Sequence, residues 1–398
     1  MANILLVAHF CGEFDGGDNN RFNYLAKKLA ENNSVELITS DYSHTKKHKR
    51  DIERINGGGL GYTITFIPEP AYAKNVSLNR FYSHYVFGRN LSKCFRRRSG
   101  KSPDVVYCAV PSLDAGYAAY SYCRKNNVPF IIDIQDLWPE AFRMVTNRAL
   151  AEPVFRAMTR RADFIYKSAD AIVAVSETYA GRAKQVNKNA DAHSVYLGTE
   201  LQTFDRLALE NKPDKSDEIW LAYAGTLGHS YDLTVAIDAV SIAKDKGVNV
   251  KLIVMGDGPL KSKFEAHAAS RRINAYFTGR LSYAKLAGML KASNIAINPI
   301  SRNAAQSIIN KHADYAAAGL PVLNTQESPE YRKLVEDYEM GFNCDNNDSE
   351  DLAEKLLALC RDSGLRKIMS INSRRLAKEK FDRRKTYSKI SEIINNSI

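Results

Sequence analysis

Lys311 and Asp314 stand three residues apart in a stretch whose apolar spacing predicts a helix over 307–318, stopped by Gly319 with Pro321 just beyond. Residues three apart on a helix share a face. An ammonium group there can neutralise a diphosphate while a carboxylate accepts hydrogen bonds from ribose hydroxyls; the plainer alternative is a solvent-exposed ion pair. Four further segments follow predicted strands in the same half of the chain. They are Gly225-Thr226-Leu227-Gly228-His229, Gly256-Asp257-Gly258-Pro259, Gly279-Arg280-Leu281 and Asn298-Pro299-Ile300. One such loop means little, but four in register at the strand ends of one domain predict a nucleotide-sized site.

The first half offers a different set. After the first predicted strand come His9, Glu13 and the pair Gly16-Gly17, ahead of a helix whose positive end can face a phosphate. The spacing is neither Gly-x-Gly-x-x-Gly nor a P-loop, which removes support for a nicotinamide site or an ATPase. Asp136 and Trp138 follow a buried strand, and taken by itself Asp136 reads as a cap of the turn before Pro139. His44, Lys46 and Lys47 belong to one basic block, and 80–98 interleaves aromatic and basic residues. If helical, that second stretch could lie in a membrane interface, or equally be a core helix with a basic exposed face.

The elements that must position these groups alternate between short apolar runs and helical patterns. Strands are expected at 4–8, 35–39, 64–67, 105–109, 130–134, 171–175 and 194–197, then at 219–224, 250–255, 275–278, 295–297 and 321–324. Phe22, Leu25, Ala26 and Leu29 trace one face of a helix after the first strand. This rhythm predicts parallel sheets covered on both faces. A polar, proline-containing stretch interrupts it. The expected organisation is an N-terminal Rossmann-like domain (1–200), a linker (201–217), a second such domain (218–380) and a C-terminal helix (381–398) returning to the first. With 398 residues, 44% hydrophobic and 25% charged, the chain has material for two cores and is not disordered. Six scattered cysteines without a Cys-x-x-Cys pair exclude a zinc ribbon and a disulfide scaffold. No apolar run approaches the ~18 residues of a spanning helix. The net charge of +11 suits an anionic partner, and no recognition motif favours nucleic acid.

In order and separation, Gly16-Gly17, Gly225-Thr226-Leu227-Gly228, Gly256-Asp257-Gly258-Pro259 and Lys311-x-x-Asp314-Tyr315-x-x-x-Gly319-x-Pro321-Val322 resemble the GT-B glycosyltransferases of family 4. The resemblance spans essentially the whole chain. It implies an α/β GT-B fold, two doubly wound domains facing across a cleft, and a retaining transferase using a nucleotide-sugar, expected to be a UDP-sugar, with no metal and no other cofactor. Many members carry two glutamates seven residues apart; Gln306 and Asp314 stand there instead. Where many members carry an Arg/Lys pair for the diphosphate, Thr226 and the region around His229 stand.

The resemblance implies a donor site of Gly16, Gly17, Thr226, His229, Gly256, Asp257, Gly258, Arg280, Leu281, Ile309, Asn310, Lys311 and Asp314, with Lys311 at the diphosphate and Asp314 at ribose. By the same resemblance catalytic roles fall on Asp136, as the group that steers or accepts the proton of the acceptor hydroxyl, and on Lys311 and Gln306; acceptor contacts fall on His9, Glu13, His44, Lys46, Lys47, Asp136 and Trp138. The leading expectation is a cytoplasmic enzyme on the inner membrane face, extending a bacterial surface polysaccharide on a polyprenyl-diphosphate-linked saccharide. A UDP-N-acetylglucosamine 2-epimerase-like isomerase and a non-catalytic nucleotide-sugar-binding module are the alternatives.

Overall fold

The computed structural model describes residues 1–14, 20–56, 59–74, 77–98, 100, 102–141, 148–302 and 307–398. Gly16, Gly17 and Gln306 lie outside the described residues. The chain divides into two compact units, Met1–Tyr196 with Tyr387–Ile398, and Leu197–Thr386.

The strands of the first unit are β1 (Asn3–Ala8), β2 (Ser34–Ser40), β3 (Tyr42–Ser43), β4 (His48–Lys49), β5 (Thr63–Ile67), β6 (Val105–Val110), β7 (Phe130–Ile134), β8 (Ala171–Ala174) and β9 (Asp191–Ser194). Seven of them form one parallel sheet in the order β5-β2-β1-β6-β7-β8-β9. β3 and β4 pair as a small antiparallel ribbon around His44 to Lys47. Apolar runs such as Ile4 to Ala8 are buried on both faces, as parallel strands between helical layers must be. The helix Arg21–Ala30 buries Phe22, Leu25, Ala26 and Leu29, and the Asn20 side chain caps it by accepting from the Phe22 and Asn23 N–H groups. Arg21 is buried too. Its guanidinium meets the wholly buried Asp133 at 2.9 Å and donates to Tyr387 Oη at 3.0 Å, tying β7 to the C-terminal segment.

The second unit repeats the plan with β10 (Ile219–Ala224), β11 (Val250–Met255), β12 (Asn274–Gly279), β13 (Ile295–Asn298), β14 (Val322–Asn324) and β15 (Gly341–Asn343). All are parallel, in the order β12-β11-β10-β13-β14-β15. In each sheet the winding reverses at its first strand, between β1 and β6 and between β10 and β13. Doubly wound sheets bind ligands beyond the carboxyl ends of their strands at that reversal.

Several boundaries differ from the sequence expectation. The expected linker 201–217 contains the helix Leu201–Glu210, which buries Leu201, Phe204 and Ala208 within the second unit. Their i, i+3, i+7 spacing is a helical stripe, and only the polar residues after it form a loop. The strand expected at 194–197 is β9, three residues earlier. β3, β4 and β15 are two or three residues long, too short to leave a periodic signal. The second unit extends to Thr386, and the final helix, Ser388–Asn396, places Ile390, Ile393 and Ile394 in the core of the first.

Candidate functional site

In the second unit, three loops close on one another beyond β10, β11 and β13. Gly225 N–H donates to the Met255 carbonyl at 3.0 Å, and Leu227 N–H to the Asp257 carbonyl at 2.9 Å. Asp232 N–H reaches the Pro299 carbonyl at 2.8 Å. Gly256 is indispensable to this seam, because a Cβ there would sit 1.8 Å from the Gly225 carbonyl oxygen. Gly225 itself has φ +147°, a conformation side chains rarely adopt.

Against this seam lies the helix Asn310–Ala318, closed by Gly319 in the left-handed conformation as its sequence predicts. Tyr315 fastens it. Its hydroxyl accepts from Ala224 N–H at 2.8 Å and donates to the Ile297 carbonyl at 3.2 Å, bridging the ends of β10 and β13. His312 is wholly buried and stacked on Tyr331 at 3.6 Å, and its Nδ1 accepts from Ile309 N–H. Burial, reinforced by the neighbouring Lys311, holds His312 well below the usual histidine range.

Lys311 is the unusual group. It is only 7% exposed, and its Nζ makes no hydrogen bond among the described residues. The amine sits 4.4 Å from the ring centre of Tyr223 and 3.9 Å from that of Tyr231. Burial pushes it well below the ordinary lysine range. Leaving such a donor unsatisfied costs about 1–3 kcal/mol. A phosphate arriving here would supply charge and hydrogen bonds together.

Asp314 departs from expectation. It neither pairs with Lys311 nor lies open to a ribose. Its Oδ1 accepts from Thr199 Oγ1 at 2.7 Å and Tyr283 Oη at 2.8 Å, and it is 6% exposed. Burial raises its carboxyl against those two bonds. Three residues of α-helix leave the two side chains only about 60° apart around the axis, yet tertiary packing sends them to different neighbours. Asp257 and Gly258 lie in the seam, with Asp257 accepting from Gly258 N–H at 2.8 Å. Thr226, His229 and Asn310 are exposed around it, while Ile309 is half-buried at the start of the Lys311 helix. Arg280 is exposed and Leu281 half-buried after β12, at the far edge of the sheet, two strands from the reversal.

The first unit has its own site at the carboxyl edge of its sheet. His84 stacks on the buried Trp138 at 5.2 Å, Phe10 lies 5.2 Å from His84, and His44 lies 4.9 Å from Phe10. The Arg80 guanidinium lies over Trp138 at 4.7 Å and Phe10 at 5.5 Å. Lys47 lies over Tyr72 at 4.7 Å, and His44 Nδ1 meets Tyr72 Oη at 2.5 Å. Burial, then the Arg80 and Lys47 charges, push His44 down to about 3. His84 Nε2 is buried without a partner among the described residues. Asp136 is half-buried on this rim and accepts from Leu137 N–H at 2.9 Å. Burial outweighs that bond and the Arg80 charge, pushing its carboxyl up to about 6, where a general base is useful near neutral pH.

Two residues expected to contact an acceptor are structural. His9 is 2% exposed; its Nδ1 meets Ser112 Oγ at 2.7 Å and its Nε2 meets Glu69 at 3.0 Å, so neither nitrogen is left for a ligand. Glu69 also accepts from Ser40 and Ser83. Burial alone would raise the Glu69 carboxyl, but His9 and the hydroxyls outweigh it and hold it below the usual range. Glu13 is taken up by Arg50 at 3.5 Å, by Ser43 and by Lys46 at 3.8 Å. Sequence reasoning missed Glu69, and took Arg80 and His84 only as members of the aromatic and basic run 80–98. Glu69 was the most findable, as an acid between two prolines directly after a strand.

The family description "Glycosyltransferase Family 4" matches residues 15–203, and "Glycosyl transferases group 1" matches residues 205–376. An uncharacterized glycosyltransferase of Methanocaldococcus jannaschii is 25% identical over 240 residues, which is 58% of this chain and 60% of that protein. Among solved structures, sucrose-phosphate synthase of Thermosynechococcus elongatus superposes with a TM-score of 0.71 at 15% identity, covering 100% of this chain and 99% of that one. Anabaena HepE in complex with UDP and glucose gives 0.67 at 13%, covering both chains fully. At these identities the structural likeness speaks for the fold, and the two family matches account for nearly the whole chain. The chain belongs to the GT-B glycosyltransferases of family 4.

Proposed function

We propose that the chain moves a sugar from a UDP-sugar to a polyprenyl-diphosphate-linked saccharide with retention of configuration, building a bacterial surface polysaccharide at the cytoplasmic membrane face. The observation that carries the reading is Lys311, a buried amine with no hydrogen-bond partner among the described residues, set where three strand-end loops converge. A diphosphate leaving group develops negative charge as the glycosidic bond breaks. An amine held in a desolvated aromatic setting, with no solvent to reorganise, stabilises that charge far better than one in water. In this reading Lys311, rather than a metal ion, offsets the leaving charge.

The acceptor hydroxyl belongs with the aromatic and basic rim of the first unit. Asp136 orients it and can take its proton, and a diphosphate oxygen is the other base available when attack comes from the leaving-group side. The remaining catalytic contribution is positioning. HepE, whose structure contains UDP and glucose, supports a uridine nucleotide as the first donor to try.

The test incubates the chain with a panel of nucleotide-sugars and lipid-linked saccharides, and reads the anomeric configuration of the product by NMR. Transfer with retention is expected, and Lys311→Ala should lower turnover by about 10²–10³-fold. Conversion of the sugar without any acceptor would make the chain an isomerase. Binding without turnover would make it a carrier module.

A further inference from the structure

The helix Leu78–Arg97 has two unlike faces. Its inner face buries Ser83, His84, Phe87, Gly88, Leu91 and Phe95. Gly88 fits so closely that a Cβ there would lie 2.6 Å from the Asp114 Cβ. Its outer face begins with Leu78, Phe81, Tyr82 and Tyr85 and continues with Arg89, Lys93, Arg96 and Arg97, all exposed. Leu78, Tyr82 and Tyr85 are 85%, 60% and 54% exposed. Single exposed apolar residues are ordinary, but four large ones within eight residues form a patch that water disfavours.

Charge accompanies the patch. Between Glu69 and Asp104 the sequence contains eight lysines and arginines and no acid. The two features are segregated along the helix axis, apolar and aromatic groups on the first two turns and cations on the later ones. An acidic protein or a nucleic acid would answer the cations and leave the leucine and aromatic rings in water. A bilayer answers both: tyrosine and phenylalanine settle at the headgroup boundary, and lysine and arginine reach anionic phosphates. The helix lies along the surface in this arrangement, for among the described residues no helix is long and apolar enough to cross a membrane.

We propose that the outer face of this helix docks on a bilayer carrying anionic headgroups, with Leu78, Phe81, Tyr82 and Tyr85 at the acyl boundary and Arg89, Lys93, Arg96 and Arg97 at the phosphates. The inference rests on the lipid-linked acceptor of the proposed function and gives it a local route. Arg80 and His84, on the same first turns, reach inward to Trp138. A saccharide still attached to its carrier lipid would thus meet the acceptor rim within about one helical turn of the membrane surface.

The full chain should co-sediment with phosphatidylglycerol-containing vesicles and not with phosphatidylcholine alone, and high salt should weaken the binding. The triple variant Arg89→Gln, Lys93→Gln, Arg96→Gln should bind about a hundredfold more weakly. Tyr82→Ser with Tyr85→Ser should reduce the salt-resistant fraction. Circular dichroism checks that each variant is folded, and transfer to a water-soluble acceptor should be unchanged in both. Binding that ignores lipid charge, or a triple variant that binds like the parent, overturns the inference, as does equal affinity for DNA. A chain that binds vesicles but transfers no sugar sinks the proposed function alone; one that glycosylates a soluble acceptor but ignores vesicles sinks this inference alone.

Discussion

Replacing Lys311 by methionine should make the protein more stable and less active at once. At pH 7 an unfolded lysine is protonated. Stripping that proton to bury a neutral amine costs up to about 4–5 kcal/mol for a side chain of ordinary pKa. If the amine stays charged, two aromatic faces return about 2 kcal/mol of cation–π attraction, against a larger desolvation cost. Methionine fills similar volume without either penalty. Lys311→Met should therefore gain about 1–3 kcal/mol, or about 2–4 °C per kcal/mol in a unit of this size by scanning calorimetry. The pH dependence has a definite sign. The folded amine is held below its unfolded value, so the parent loses stability as pH falls through the unfolded lysine value. The advantage of the variant should grow as pH falls from the unfolded lysine value toward neutrality and disappear above that value. A variant less stable than the parent at pH 7 would mean that the ammonium makes stabilising contacts, and the reasoning would fail.

Asp136→Asn should lower transfer by about 10²–10⁴-fold. In the parent, activity should rise as pH passes about 6, where the carboxyl gives up its proton, and that limb should be missing from the variant's pH–rate profile. Glu69→Gln should destabilise the first unit by about 2–3 kcal/mol in urea unfolding, because it breaks a buried pair with His9. Glu69 is held below its unfolded value. Its stabilisation is present above that value and lost as pH falls through the folded one, so parent and variant should converge in acid. Tyr315→Phe strands the buried Ala224 N–H and should cost about 1–3 kcal/mol. It should also raise the donor KM more than it lowers kcat.

The parallel sheets were legible because buried strands are continuous apolar runs and their helices carry the 3.6-residue stripe, as Phe22, Leu25, Ala26 and Leu29 do. The helix Leu201–Glu210 was hidden by the polar residues beside it. Lys311 was recognisable from its place between the predicted helix start and Gly319. Its surroundings were not: Tyr223 and Tyr231 lie about 80 residues away, and only the winding of the sheet brings them to it. Asp314 illustrates the opposite failure, since helical spacing put it beside Lys311 whereas Thr199 and Tyr283, 115 and 31 residues away in sequence, claim its carboxylate. In the first unit the same limit applies to His9, whose strand-end position suggested a ligand contact and whose partners, Glu69 and Ser112, come from two other strand-end loops.

Calorimetric titration of the chain with UDP and with uridine, repeated on Lys311→Met, isolates the diphosphate contact. UDP should bind the parent at least tenfold more tightly than uridine, about 1.4 kcal/mol. The variant should lose that preference. Equal UDP affinity in parent and variant would contradict the account.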